Sequence, residues 1–124
     1  MSHDAPWILG VSYSHNGAAC LLRGSEIRVA IQEERLCGRK RAPIRHHQES
    51  LAVRYCLKQE GLTIGDLDAL VVSHFSRPSP PPLWLSDRSL STPRCYLTVP
   101  HHLWHAYGVF ATSGFPSAVA LIIT

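Results

Sequence analysis

The stretch that decides the fold is WILGVSYSHNGAACLLRGSEIRVAIQE, residues 7–33. Its first run, residues 7–13, is typical of a strand, and the run at 18–22 returns after an Asn-Gly pair that favours a hairpin turn. After a second tight turn, residues 27–33 alternate apolar and polar side chains, as a half-buried strand does. The sequence therefore predicts three antiparallel strands in a meander.

The pattern changes after this meander. Residues 35–45 contain glycine, proline and five basic side chains, which predicts an irregular loop. Residues 46–61 have the apolar spacing of a helix, with Gly61 at its end. The short apolar run at 69–73 is typical of a buried parallel strand. The chain is therefore predicted to be an α/β protein.

The last third of the sequence extends this pattern. Residues 77–93 begin with a proline-rich run and predict a long exposed loop. A strand is expected at 95–99, and a helix at 101–112 with Leu103 on its apolar face. Residues 118–124 are apolar on both faces and predict a final strand.

Composition limits the function. With 124 residues, 45% hydrophobic and 17% charged, the chain has the makeup of one small soluble domain. A net charge of +3 is too weak to predict nucleic-acid binding. The spacing of the four cysteines fits neither a zinc ribbon nor a disulfide framework, so reduced, mostly buried thiols are expected. Without a signal sequence or a membrane-length apolar run, we expect a cytoplasmic protein with no membrane partner.

The segment HHLWH, residues 101–105, concentrates three of the eight histidines. In a helix, His101 and His105 lie on one face, where two neutral imidazoles can bind one metal ion, while His102 points elsewhere. Two ligands do not make a tight site, so a third nitrogen or oxygen is needed. The alternative is a pair of surface histidines without a ligand.

Three motifs point to a known family: ILGV at 8–11 followed by HNGAA at 15–19, QEER at 32–35 followed by Lys40, and VPHHLWHA at 99–106. Together they resemble the O-carbamoyltransferases of antibiotic and nodulation-factor biosynthesis. The resemblance implies a ribonuclease-H-like lobe of the actin-like ATPase superfamily, related to the enzymes that transfer threonylcarbamoyl groups to tRNA. It further implies that residues 1–117 form the first lobe and that 118–124 form the first strand of an incomplete second lobe.

The same resemblance implies a reaction. Carbamoyl phosphate and ATP give carbamoyl adenylate, from which the carbamoyl group passes to a hydroxyl of a natural-product substrate of secondary metabolism. The residues that would serve this chemistry are two ligands of iron(II) or another divalent metal, a general base, an anion-binding cation and a phosphate-handling loop: His101 and His105, His15, Lys40, and Asn16 with Gly17. Relatives commonly have Asp followed by Ser where this chain has Asn16 and Gly17.

Other interpretations of these residues stay open at this point. His15 can be an ordinary hairpin residue, and Lys40 competes with Arg39 and Arg41 as the anion contact. The two carboxylates of the QEER motif, Glu33 and Glu34, are predicted to form surface ion pairs. The bulky Trp104 fits either an interface or the core.

Relatives continue beyond the region that resembles residues 1–124 with a second phosphate loop, a further metal-binding carboxylate and an adenylate-forming domain. We therefore expect a fragment or a split enzyme that needs a second protein chain to supply these parts. The alternative is a non-catalytic lobe that binds or regulates a full-length carbamoyltransferase-like protein.

Overall fold

The computed structural model describes residues 5–12, 16–44, 50–74, 94–119 and 121. The predicted loop at 77–93 and the start of the helix predicted from residue 46 lie outside these ranges. Among the described residues, no helix is long and apolar enough to cross a membrane.

A five-stranded mixed sheet organises the chain, in the order β3-β2-β1-β4-β5. The antiparallel pairs β1–β2 and β2–β3 confirm the predicted meander, and β4 pairs with β1 and with β5 in parallel. The strands are β1 (Trp7–Ser12), β2 (Ala18–Arg23), β3 (Glu26–Gln32), β4 (Ala69–His74) and β5 (Tyr96–Pro100).

The core lies between one face of this sheet and a helix. The helices are α1 (Glu33–Cys37), α2 (Leu51–Gln59) and α3 (His101–Ser113). Alternate strand residues point to the same face, so large side chains of β1, β2 and β4 meet Ala52 and Cys56 of α2. These strand residues are completely or almost completely buried: Leu9, Val11, Leu21, Leu70 and Val72.

Helix α3 contacts β4 and β5 and carries Trp104 to β1. The Trp104 Cη2 atom lies 3.4 Å from the position that a Cβ atom on Gly10 would occupy. Trp104 therefore packs on the chain's own sheet, and its side chain is half-buried. Leu103, predicted on the apolar face of the helix, is instead 40% exposed.

The predicted irregular loop at 35–45 is wrong at its beginning, because α1 occupies residues 33–37. The chain turns into one helical turn as soon as β3 ends. Gly38 then stops this turn in the left-handed conformation, with a φ of 76°, and its N–H donates to the Glu34 carbonyl at 3.0 Å. This short helix determines where the basic turn, residues 39–41, lies.

The predicted strand at 118–124 is only partly described. Ala118, Val119 and Leu121 are not in a strand, and the side chains of Val119 and Leu121 are 99% and 86% exposed. A strand forms by pairing with a neighbouring strand, and the order β3-β2-β1-β4-β5 does not include these three residues. The division into a first lobe at 1–117 and a second-lobe strand stays a prediction.

Candidate functional site

One edge of the sheet gathers the three motifs. The parallel strands β1, β4 and β5 all end at this edge, and the antiparallel β2 begins there. The loop between β1 and β2 therefore lies at the same edge as His101, the first residue after β5. Because neighbouring strands are about 4.8 Å apart, β1 and β5 are separated there by roughly 10 Å. The topology thus brings Asn16 and Gly17 of the HNGAA motif to the same end of the sheet as the VPHHLWHA motif.

The predicted histidine pair forms as the helical spacing requires. The Nε2 atoms of His101 and His105 are 3.1 Å apart, and their rings meet nearly perpendicularly at a centroid distance of 4.5 Å. His102 lies on another side of the helix, with its ring centroid 6.0 Å from that of His101. The structure therefore brings the two predicted metal ligands together and leaves the intervening histidine apart.

The pair has a geometry that suits a divalent metal. Histidine nitrogens lie about 2.0–2.1 Å from zinc in tetrahedral sites, so two of them are roughly 3.3 Å apart. The observed 3.1 Å is close to this separation. The same distance also suits a hydrogen bond between two neutral imidazoles, with one Nε2–H donating to the other. Within the described ranges, no group of three or more His, Cys, Asp or Glu residues is arranged to hold a metal. The residues present fit half of a metal site.

The loop between β1 and β2 contains the other predicted residues. His15 lies outside the described residues, and Asn16 is exposed. Gly17 is buried, its N–H donates to the Ala42 carbonyl at 2.9 Å, and its own carbonyl accepts from the Glu33 N–H at 2.8 Å.

Gly17 does not have the positive φ that a two-residue Asn-Gly hairpin turn requires, so the expected turn is wrong. The reason for a glycine at position 17 is space. A Cβ atom there would lie 2.5 Å from Ile44 Cγ1 and 2.8 Å from the Ile44 backbone nitrogen. Gly17 thus lets the segment after α1 pack directly on the loop between β1 and β2.

Lys40 lies in the exposed turn that this packing brings beside Gly17. Arg39 and Arg41 are exposed with it, and the Arg41 N–H donates to a Glu34 carboxylate oxygen at 3.3 Å. The hydrogen bond between Gly17 and Ala42 joins this basic turn to the first loop. The structure thus supplies three cations at the place where the sequence predicts an anion contact.

Glu33 was predicted to form a surface ion pair, and this prediction is wrong. Its side chain is 6% exposed and accepts hydrogen bonds from Ser50 Oγ at 2.9 Å, the Leu51 N–H at 2.9 Å and the Ala52 N–H at 3.0 Å. These groups form the beginning of α2, where unpaired N–H groups favour a carboxylate. Glu33 therefore fixes α2 to the end of β3. The sequence offers one local signal for this arrangement, which is Ser50 at the start of α2.

Burial affects two of the four cysteines. All four are free, as expected, but only Cys56 is fully buried, and Cys95 is exposed. Burial raises the pKa of the Cys56 thiol to about 12 and also raises the pKa of Cys20. Both thiols therefore stay protonated near neutral pH, where a nucleophile would have to be a thiolate.

The architecture is that of an actin-like ATPase lobe. Two solved structures share it, each covering 88% of this chain and 50% of the other. YeaZ from Pseudomonas aeruginosa has a TM-score of 0.56 and 18% identity. An uncharacterized protein from the same organism, with similarity to peptidase YeaZ, has a TM-score of 0.54 and 17% identity. This likeness shows the fold of the chain.

Within this class, residues 7–79 match the family of the carbamoyltransferase N-terminus, and the chain belongs to that family. It is also similar to nodulation protein NolNO from Sinorhizobium fredii (strain NBRC 101917 / NGR234), with 28% identity over 148 aligned positions. This match takes in 98% of the present chain and 21% of the relative, so the chain spans about a fifth of that protein's length.

Proposed function

We propose that this chain is the N-terminal portion, or a split subunit, of an O-carbamoyltransferase. It would use carbamoyl phosphate and ATP, through carbamoyl adenylate, to carbamoylate a hydroxyl of a natural-product substrate. The observation that carries the proposal is the carbamoyltransferase family match over residues 7–79. The similarity to a nodulation protein supports it. The cytoplasm stays the location predicted from the sequence.

In the proposed transfer, the acceptor oxygen bonds to the carbamoyl carbon, the bond from that carbon to the adenylate phosphate oxygen breaks, and AMP leaves. The acceptor's proton needs a base, and His15 is our candidate. Lys40 would offset the charge of the phosphate, beside the loop of Asn16 and Gly17. Iron(II) or another divalent ion held by His101 and His105 would polarise the carbamoyl carbonyl or a phosphoryl oxygen. The common sheet edge of Asn16, Gly17 and the histidine pair supports this assignment.

The remaining metal ligand and the carbamoyl-adenylate-forming activity would come from a second protein chain. The histidine pair supports this, because a catalytic metal site ordinarily has three protein ligands and the described part of the chain places no third ligand with the pair. The small-molecule partner is the hydroxyl acceptor.

The test uses the full chain, co-purified with its partner from the native host. Bound metal is measured, together with transfer of labelled carbamoyl from carbamoyl phosphate in the presence of ATP. We expect His101→Ala and His105→Ala each to lower metal occupancy and to reduce transfer by roughly 100-fold or more. His102→Ala, on another side of the same helix, is the control and should change neither. Normal transfer by H101A and H105A would contradict the metal assignment.

The alternative function is a regulatory lobe that binds a full-length carbamoyltransferase-like protein. This alternative is supported by the match to the nodulation protein, because the chain corresponds to only about a fifth of that protein's length. In that case the chain should change the turnover of the full-length protein when added to it, and the H101A and H105A variants should act equally well. A chain without any effect on turnover would remove this alternative.

A further inference from the structure

A cavity of about 440 Å³ lies on the face of the sheet opposite to α2. Small-molecule sites typically occupy about 300–1,000 Å³, so this cavity can hold one compact ligand. Its floor is formed by β1, β2 and β3, and its two walls are Trp104 from α3 and Arg35 from α1. None of the motif residues assigned above to the metal, the base or the phosphate lines it.

The floor consists of two rows that cross the three strands. Strand register aligns Gly10 with Cys20 and Ala30 in one row, and Ser12 with Ala18 and Gln32 in the other. From the spacing of strands and residues, the floor measures roughly 10 by 7 Å. Leu9, Val11 and Leu21 fill the corresponding space on the opposite face. The cavity is thus a flat and mostly apolar slot with room for a ring system.

The two walls differ in chemistry. Trp104 lies over Gly10 at the β1 side, with its ring 3.4 Å from where a Cβ would stand. Arg35 follows β3 and lies at the other side of the floor. It is two residues after the buried Glu33, and this spacing turns the two side chains to opposite sides of α1. A ligand in the slot meets an aromatic face at one end and a guanidinium at the other.

The aromatic end is next to the proposed metal site. Trp104 is three residues after His101, so the two residues are roughly 4.5 Å apart along the helix axis. The Trp104 end of the cavity is therefore the end nearer to the histidine pair, because both belong to α3. The Arg35 end is farther from the metal, across two strand intervals.

We propose that this cavity is the acceptor subsite of the proposed carbamoyl transfer, and the inference rests on that function. Its ligand class is a flat, hydroxylated ring compound with an anionic group. The hydroxyl points toward Trp104 and the histidine pair, and the anion pairs with Arg35. Trp104 and Arg35 thereby determine acceptor specificity, a role that the sequence motifs containing them did not indicate.

Two small probes test the subsite on the full chain, with binding followed by amide chemical shifts. The first, 6-hydroxy-2-naphthoate, has the ring, the hydroxyl and the anion, and 2-naphthol lacks the anion. We expect both to shift the amides of Gly10, Cys20 and Ala30. The naphthoate should bind about fivefold more tightly, since an exposed charge pair contributes up to about 1 kcal/mol.

Variants of the chain test whether Trp104 and Arg35 contact the two probes. Trp104→Ala should weaken both probes by about tenfold or more, because it removes the aromatic contact. Arg35→Gln should remove only the preference for the naphthoate. Phe115→Ala and Arg54→Gln, an exposed aromatic and an arginine on α2, are the controls and should bind as the native chain does. Cys20→Leu fills the floor and should block both probes, which keeps the test valid if W104A does not fold.

Three results would overturn the subsite: probe shifts elsewhere on the chain, native affinity in folded C20L, or an unchanged naphthoate preference in R35Q. The two proposals fail separately. A complex that transfers carbamoyl with an unchanged acceptor KM in C20L refutes only the subsite. Probe binding as expected, with full transfer by H101A and H105A, refutes only the metal-based mechanism.

Discussion

Glu33 shows how one buried carboxylate joins two elements of this fold. It accepts one hydrogen bond from a hydroxyl and two from backbone N–H groups at the start of α2. Bonds to a charged group contribute more than neutral ones, and removing one partner leaves buried donors unsatisfied. The interaction therefore contributes to the stability of the whole chain as well as to the position of α2.

We predict that Glu33→Ala lowers the free energy of unfolding by roughly 3 kcal/mol, because Leu51 and Ala52 lose their acceptor. Urea denaturation measures the change. Glu34→Ala is the matched control, since within the described ranges the Glu34 carboxylate accepts one long bond, from the exposed Arg41 N–H, and it should stay within about 0.5 kcal/mol. Equal effects of the two substitutions would show that Glu33 does not cap α2.

Substitution of Gly17 tests the contact between the basic turn and the loop that joins β1 to β2. A methyl group there meets the Ile44 backbone nitrogen at 2.8 Å, and backbone cannot move as a flexible side chain does. We expect Gly17→Ala to cost about 2 kcal/mol of stability, as overpacking does, and to shift the amide resonances of Ala42 and Ile44. Urea denaturation and NMR provide the two measurements. Native stability in G17A would mean that the two segments are not in contact.

The strands were largely predictable from sequence, because alternation and turn residues act over short distances. The three-strand meander, the parallel β4 and the helix that carries the histidine pair all follow from local patterns. Contacts from distant segments were not predictable. Glu33 is buried by a helix that begins 18 residues later, and Trp104 packs on a strand that ends about 90 residues earlier. The histidine pair was found because its two members are four residues apart.

Helix α1 is the element whose end is most directly testable. Gly38 closes it at a φ of 76°, and no atom within 4 Å would block a Cβ there. A side chain at position 38 therefore lowers stability through the strained backbone conformation and not through a steric clash. Gly38→Ala should lower stability by about 1 kcal/mol, and Gly38→Asn by less, because Asn tolerates the left-handed region. Urea denaturation of both variants checks this. A cost for Asn equal to or above that for Ala would contradict the left-handed cap.

At the scale of the whole molecule, the two faces of the sheet differ in the size of their side chains. The face toward α2 carries large buried side chains, and the face toward α3 carries small ones with a cavity above them. The edge where β1, β4 and β5 end presents the histidine pair and the loop beside the basic turn. In the proposed transfer, the acceptor would approach from the cavity and the carbamoyl donor from the edge of the sheet.

The core also predicts how the chain responds to alkaline pH. Burial raises the pKa of Cys20, Cys56 and Tyr96, and that of Cys56 rises from 9.0 to about 12. In the unfolded chain these groups lose their protons at lower pH than in the folded chain. The unfolded state therefore binds fewer protons above about pH 9, so stability falls as pH rises through the window toward 12.

Urea denaturation under reducing conditions at about pH 7.5 and 10.5 measures this response. We expect the free energy of unfolding to be lower at the higher pH. Cys56→Ala removes the most strongly shifted group, so its stability should be lower at neutral pH, because a buried side chain is truncated, yet should change less between the two pH values. If native and C56A chains lose the same amount, the Cys56 thiol does not couple folding to pH. In that case its environment in the folded chain is more polar than its complete burial between α2 and the sheet indicates.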